Sequence, residues 1–166
     1  LRKDALMFGW NFSKYEKAGS CRFLYHPPYD GKAVATSLKQ AIQETGAKRV
    51  VVDSTSVFGV ALDDPYESRK LNFELSQLLK SFDVTGVSVS EISGEGPIDI
   101  SSGAVTLSRD GVEEFVADSV IILHYGSLGG VSDRMMRIIK MRRTDHRKGL
   151  FPFSINKSGI NVKPKF

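Results

Sequence analysis

Arg49-Val50-Val51-Val52-Asp53-Ser54 is the stretch on which the fold reading turns. Three successive valines between charged ends fit a strand covered on both faces, the habit of parallel sheets rather than of half-solvated antiparallel ones. The residues before it predict a helix. Val34, Leu38, Ala41 and Ile42 recur on one helical face, and Gly46 closes it as a residue tolerant of positive φ. After it a second helix is expected to start at Asp64-Pro65-Tyr66-Glu67, with an acidic N-cap and proline in the first helical position. Leu71, Leu75, Leu78 and Phe82 make its predicted inner stripe. Residues 87–91 then read as a second buried strand. Strand, helix, strand in that order specifies a parallel pair with a right-handed crossover and helices on its faces.

Further out the patterns are shorter. Residues 1–15 read as helix interrupted near Gly9, and 22–25 as a short strand ended by His26-Pro27-Pro28. Beyond Glu91 the grammar changes. Ser93-Gly94-Glu95-Gly96-Pro97 is a loop, 105–108 a short strand before Asp110-Gly111, and residues 118–125, 134–143, 151–155 and 160–162 are strands without long helices between them. Turns are expected at 126–130 and 147–149. An antiparallel meander thus extends the parallel sheet, in one α/β domain without repeats.

Composition excludes several classes. At 166 residues, 41% hydrophobic and 25% charged, the chain is neither disordered nor collagenous. No apolar run approaches the ~20 residues of a membrane span, so no membrane association is expected. Cys21 stands alone, which forbids an internal disulfide and points to a reducing compartment, the cytoplasm. A net charge of +4 suits an anionic ligand. Leu1 is no initiator methionine and residues 1–15 are no signal peptide, so the chain is expected to begin in mid-protein.

Three constellations carry possible chemistry. In open α/β sheets ligands gather at the carboxyl ends of parallel strands, where Asp53-Ser54 and Ser90-Glu91 stand. An acid at such a tip can hold a water of a Mg²⁺ shell, or simply cap a turn. The phosphate-cradling G-x-x-x-x-G-K-[ST] is absent. Asp30-Gly31-Lys32-Ala33 is its nearest imitation and reads as a loop. The second constellation is Lys140-Met141-Arg142-Arg143-Thr144-Asp145-His146-Arg147-Lys148. In a strand, Lys140 and Arg142 share one face, ready for an anion between them or serving as the solvated charge of an edge strand. His26, His124 and His146 have no metal-ligand spacing, and no histidine is placed by the sequence near Ser54 or Ser90 for nucleophilic chemistry. Phe8-Gly9-Trp10 is the third, either core aromatics or a cover for a purine ring.

Together these segments resemble the KaiC-like branch of the RecA-type ATPases. The resemblance is carried by Phe8-Gly9-Trp10, by Arg49 to Ser54, by Asp110-Gly111-Val112-Glu113-Glu114-Phe115-Val116-Ala117-Asp118, and by Ile139-Lys140-Met141-Arg142-Arg143-Thr144-Asp145-His146. Phe151-Pro152-Phe153-Ser154-Ile155 and Gly159-Ile160 complete it. It implies a RecA-like, largely parallel sheet flanked by helices and extended by C-terminal antiparallel strands. It also implies ATP and Mg²⁺ bound between protomers of a homo-oligomeric ring, usually a hexamer.

By the same resemblance Asp53 is the Walker B acid that orders Mg²⁺ through water. Lys140 and Arg142 reach in trans to the γ-phosphate of a neighbour's ATP. Thr144 and His146 line that site, Phe8 lies beside the adenine, and Glu91, with Ser90, matches the Thr-Glu pair after Walker B and is a further catalytic candidate. The chain departs from the pattern at Arg143, where a small residue is usual, and at Asn156-Lys157, which replace an acidic position. Residues 1–166 are expected to be part of one such domain, without the opening segment that bears the P-loop and the paired glutamates, and inactive alone. A different class of function is a non-catalytic RecA-like partner that modulates a recombinase or DNA-bound ring, its basic run facing DNA phosphates.

Overall fold

A computed structural model describes residues 1–28, 30–62, 64–92, 111–128 and 131–163. The expected loop at 93–97 and strand at 105–108, and Gly129-Gly130 of the expected turn, lie outside the described residues. The chain is mixed α/β and divides into two compact units, Arg22–Ala117 and Leu1–Cys21 with Asp118–Phe166.

In the unit Arg22–Ala117, helix α3 (Gly31–Thr45) leads into strand β1 (Arg49–Asp53). A 3₁₀ turn (Thr55–Val57), α4 (Phe58–Ala61) and α5 (Pro65–Ser81) then lead to β2 (Thr85–Val89), and α6 (Glu113–Val116) closes the unit. The parallel pair is the expected one, β1 on β2, with Arg49 opposite Thr85 and Asp53 opposite Val89. Asp30-Gly31-Lys32-Ala33 is not a loop but the start of α3. The Asp30 carboxylate caps it by accepting from Ala33 N at 2.9 Å, which satisfies one of the helix's orphan donors. Gly31 is there for space, since a Cβ would stand 2.7 Å from Leu71 Cδ2. Gly46 ends the helix at φ 62°.

Phe58, Leu71 and Leu75 form the core of this unit, packed by Val34, Ala35, Leu38 and Leu62. Each such buried side chain contributes roughly 1.5–3 kcal/mol. The inner stripe of α5 runs Ser68, Leu71, Asn72, Leu75 and Leu79, so Leu79 takes the place expected for Leu78 and Phe82.

Three further expectations fail here. Residues 87–91 are not a buried strand, since β2 ends at Val89 and all five of its residues are exposed. Residues 22–25 form no strand. Arg22 Nη1 instead donates to Glu44 Oε2 of α3 at 2.5 Å, and this guanidinium, then the Gln40 amide, holds the Glu44 carboxyl below its ordinary range. The valines of β1 are not covered on both faces either. Val50 and Val52 are half-buried while Val51 is 66% exposed, because among the described residues α-helical cover reaches only one face of the pair.

The other unit holds α1 (Arg2–Met7), α2 (Phe12–Lys17) and four antiparallel strands in the order β3 (Ser119–Leu128), β4 (Val131–Met141), β5 (Phe151–Asn156) and β6 (Gly159–Val162). The helix break expected near Gly9 is present, with Gly9 at φ 77°. Arg2 of α1 binds Glu16 of α2 through both carboxylate oxygens, at 2.9 and 2.6 Å. Ile122 and Phe151 are buried in this unit. The β3–β4 register shifts once. Ile121 faces Ile138 and Val120 faces Lys140, so Ile139 is the extra residue of a β-bulge.

Candidate functional site

The carboxyl ends of β1 and β2 lie side by side, and both leave the sheet into polar segments. Asp53 ends β1 exposed, joined to Ser54 by a cis peptide bond. Behind it Thr55 and Ser56 are almost wholly buried, at 3% and 2% exposure. The Thr55 hydroxyl has the Val89 carbonyl at 3.2 Å and Glu113 Oε1 at 3.3 Å within reach. Glu91 N donates to Ser56 Oγ at 2.6 Å. Ser90 Oγ stands 3.5 Å from Ser56 Oγ and donates to Glu113 Oε1 at 3.2 Å. Asn72 Nδ2 of α5 reaches the same oxygen at 3.4 Å.

This polar nest under the tips was not singled out from the sequence. Its one local signal is Asn72, a polar residue on the buried face of α5 between Leu71 and Leu75.

A hydrated Mg²⁺ takes one or two carboxylates and keeps most of its waters. The exposed Asp53 carboxylate at a strand tip fits that demand. Among the described residues no group of three or more His, Cys, Asp or Glu stands ready to cage a metal.

The basic run belongs to the other unit. Lys140 lies in β4, but the strand stops at Met141, and Arg142 and Arg143 occupy a turn with Arg143 at φ 58°. The expected common face of Lys140 and Arg142 is thereby lost, since strand alternation ends between them. Arg142 N donates to Asp118 O at 2.9 Å, and Arg142 Nη1 lies 3.2 Å from Asp118 Oδ1, both side chains about half exposed. Thr144 is exposed in the same turn. His146 borders a shallow apolar cavity of about 410 Å³ with Asp145, Met136, Ile138, Met141 and Phe151. Phe8 is half-buried against Trp10, ring centroids 5.3 Å apart and tilted 30°, while Trp10 lies over Gly159. Asn156 is committed to its own hairpin, its Oδ1 accepting from Ser158 N at 2.9 Å and Asn161 Nδ2 at 3.1 Å.

The structure thus joins Asp53, Ser90 and Glu91 at one end of the parallel pair. It places Lys140, Arg142, Thr144 and His146 along one strand end and turn of the second unit, with Phe8 in that same unit. No helix among the described residues is long and apolar enough to cross a membrane.

Comparison with known proteins gives these features a family. The circadian clock oscillator protein KaiC of Synechococcus elongatus is 36% identical over 174 residues, covering 98% of this chain and 32% of that protein. The circadian clock protein KaiC3 of Synechocystis is 33% identical over 177 residues, covering 99% of this chain and 33% of its own length. The chain therefore spans about a third of these curated relatives. The crystal structure of a KaiC-like protein from the hyperthermophilic archaeon Pyrococcus horikoshii superposes with a TM-score of 0.84 at 30% identity, over 98% of this chain and 69% of that one. The model of the family described as "ATPase: KaiC" matches residues 1–166, and with these relatives it shows that the chain belongs to the KaiC family of ATPases.

Proposed function

We propose that this chain is part of an ATP-hydrolysing domain whose protomers hold Mg²⁺-ATP between neighbours in a ring, most simply a hexamer. The observation that carries the reading is the exposed Asp53 carboxylate at the carboxyl end of a parallel strand, beside Ser90-Glu91. That is where open α/β sheets collect ligands. Mg²⁺, when bound, supplies charge that offsets the phosphate oxygens. Asp53 orients the metal's water shell, and Glu91 stands as a second acid at the adjoining tip.

Arg142 and Lys140 meet the γ-phosphate of the neighbour's nucleotide. Arg142 pairs with Asp118 at the surface, both side chains about half exposed. Such surface pairs are worth about 0–1 kcal/mol, so an incoming phosphate displaces the carboxylate readily. The planar guanidinium then donates two hydrogen bonds to the oxygens of the phosphoryl group as it passes from ADP to water, offsetting the charge the transition state carries there. Thr144 and His146 line the same pocket in trans, and Phe8 with Trp10 borders the base. The G-x-x-x-x-G-K-[ST] cradle is not in this sequence, so hydrolysis belongs to a protein that carries it together with these residues.

The test is Mg²⁺-dependent hydrolysis by such a protein with and without Arg142→Ala. An arginine supplied in trans is worth about 10³–10⁵ in phosphoryl transfer. Turnover should collapse while nucleotide affinity changes far less. Equal turnover would remove Arg142 from the mechanism. Binding of DNA that weakens steeply with salt, without hydrolysis, would instead favour a DNA-bound partner role for the basic run.

A further inference from the structure

We infer that Glu113 is a positioning residue that sets the two acid-bearing strand tips, Asp53-Ser54 and Ser90-Glu91, relative to each other. The inference rests on the proposed hydrolysis for its catalytic meaning and on hydrogen bonds alone for its geometry. Glu113 is the first residue of α6, far in sequence from both tips, yet one of its carboxylate oxygens meets both of them. Oε1 lies 3.3 Å from Thr55 Oγ1, on the segment following β1, whose single proton it shares with the Val89 carbonyl at 3.2 Å, and 3.2 Å from Ser90 Oγ, following β2. Asn72 Nδ2 of α5 adds a third donor at 3.4 Å. The second oxygen, Oε2, accepts from Val112 N at 3.3 Å, which fixes the carboxylate plane.

The order of donors gives this a direction. Glu91 N–H donates to Ser56 Oγ, leaving the Ser56 hydroxyl proton for Ser90 Oγ, whose own proton goes to Glu113. The chain ends on an acceptor-only group, so each hydroxyl is oriented by the next, and hydrogen bonds in series strengthen one another. Ser56 and Thr55 have almost no contact with solvent, so water cannot replace these partners without opening the nest. Glu113 therefore holds the backbone at Glu91 through two serines and the residues after Asp53 through Thr55. It meets neither substrate nor metal in this reading and acts only through the tips.

Glu113→Ala and Glu113→Gln, made in the full ATPase protein, test this in two independent measurements. By amide hydrogen exchange, Glu113→Ala should speed exchange at residues 55–57 and at Glu91 by about tenfold or more, as local opening does, and leave residues 41–45 of α3 unchanged. Glu113→Gln keeps an oxygen acceptor and should recover most of that protection. In hydrolysis, Glu113→Ala should lower kcat by roughly ten- to a hundredfold, the cost of a small misplacement, with KM for ATP within about threefold. Glu113→Gln should recover most of kcat. Ser90→Ala, which cuts the relay but spares the carboxylate, should shift both readouts the same way by less.

Unchanged exchange at the tips in Glu113→Ala would overturn the inference, as would kcat and KM moving together or a Gln variant no better than Ala. A parent protein that hydrolyses no ATP would overturn the hydrolysis reading and the catalytic meaning of the clamp. The exchange data would then decide the clamp by themselves.

Discussion

Arg143 occupies a backbone conformation that side chains with a Cβ adopt at a cost. Its φ of 58° lies in the left-handed region, where an L-residue costs roughly 1–2 kcal/mol relative to the right-handed wells. The residue is exposed and no burial offsets that cost. Glycine removes the clash but adds freedom to the unfolded chain, which takes back about 0.5–1 kcal/mol. Arg143→Gly should therefore raise stability by a net of about 0.5–1 kcal/mol, read as a higher urea midpoint at unchanged slope. A lower midpoint would mean that the guanidinium contributes more than the backbone strain removes. The family pattern places a small residue at this position, and the left-handed turn is a physical reason for it.

His124 shows how a strand pair sets the chemistry of one of its members. It lies on β3 opposite Met135, while Arg137 stands diagonally on the same face, opposite Ile122. Nε2 is shielded from solvent, and among the described residues it has no hydrogen-bond partner. Burial first, and then repulsion from Arg137, holds the imidazole below its ordinary value. The folded state thus binds this proton less well than the unfolded chain, whose histidine titrates near about 6.5. The associated stability is fully present above that value and is lost as pH falls through the lower folded one. Melting temperature should drop between about pH 7 and pH 5 in the wild-type protein, and drop less in His124→Leu. Parallel pH profiles would exclude His124 as the cause.

Within the elements, local backbone chemistry shows in the sequence and cover from distant elements does not. The helix start at Asp64-Pro65 and the stop at Gly46 are local backbone chemistry, and both stand as read. The parallel pairing of the Val50–Val52 run followed from its helical flanks. Which valine is covered did not, because cover comes from elements distant in sequence. Phe23-Leu24-Tyr25 looked like a strand, yet a strand exists only where a partner ladder accepts it. At the candidate site Asp53 and Glu91 were legible as strand-end acids. The shared face of Lys140 and Arg142 was not, because a bulge at Ile139 and a turn at Arg143 are invisible to a period-2 count. Glu113 was hidden for a third reason: its partners lie 23 to 58 residues away.

For the whole molecule, the proposal divides one reaction between two copies of the chain, and that division has a consequence no single-subunit enzyme shares. A head-to-tail ring presents a different patch on each side of every protomer. The proposal assigns the strand tips with Asp53 to one of these patches and the turn with Arg142 to the other. Asp53→Asn spoils the first and spares the second, whereas Arg142→Ala does the reverse. Rings of either variant alone contain only broken interfaces. When the two are co-assembled in equal amounts and random order, an interface is whole where an Arg142→Ala protomer's tips face an Asp53→Asn protomer's turn. That occurs at about one interface in four, so mixed rings should recover about a quarter of wild-type hydrolysis. The mixture must be assembled together, since rings that are preformed and do not exchange subunits stay inactive. Recovery on co-assembly places Asp53 and Arg142 of one working site on different protomers. If the mixture remains as inactive as its components, while subunit exchange is verified by mass, the two residues serve one protomer and the shared-site mechanism falls.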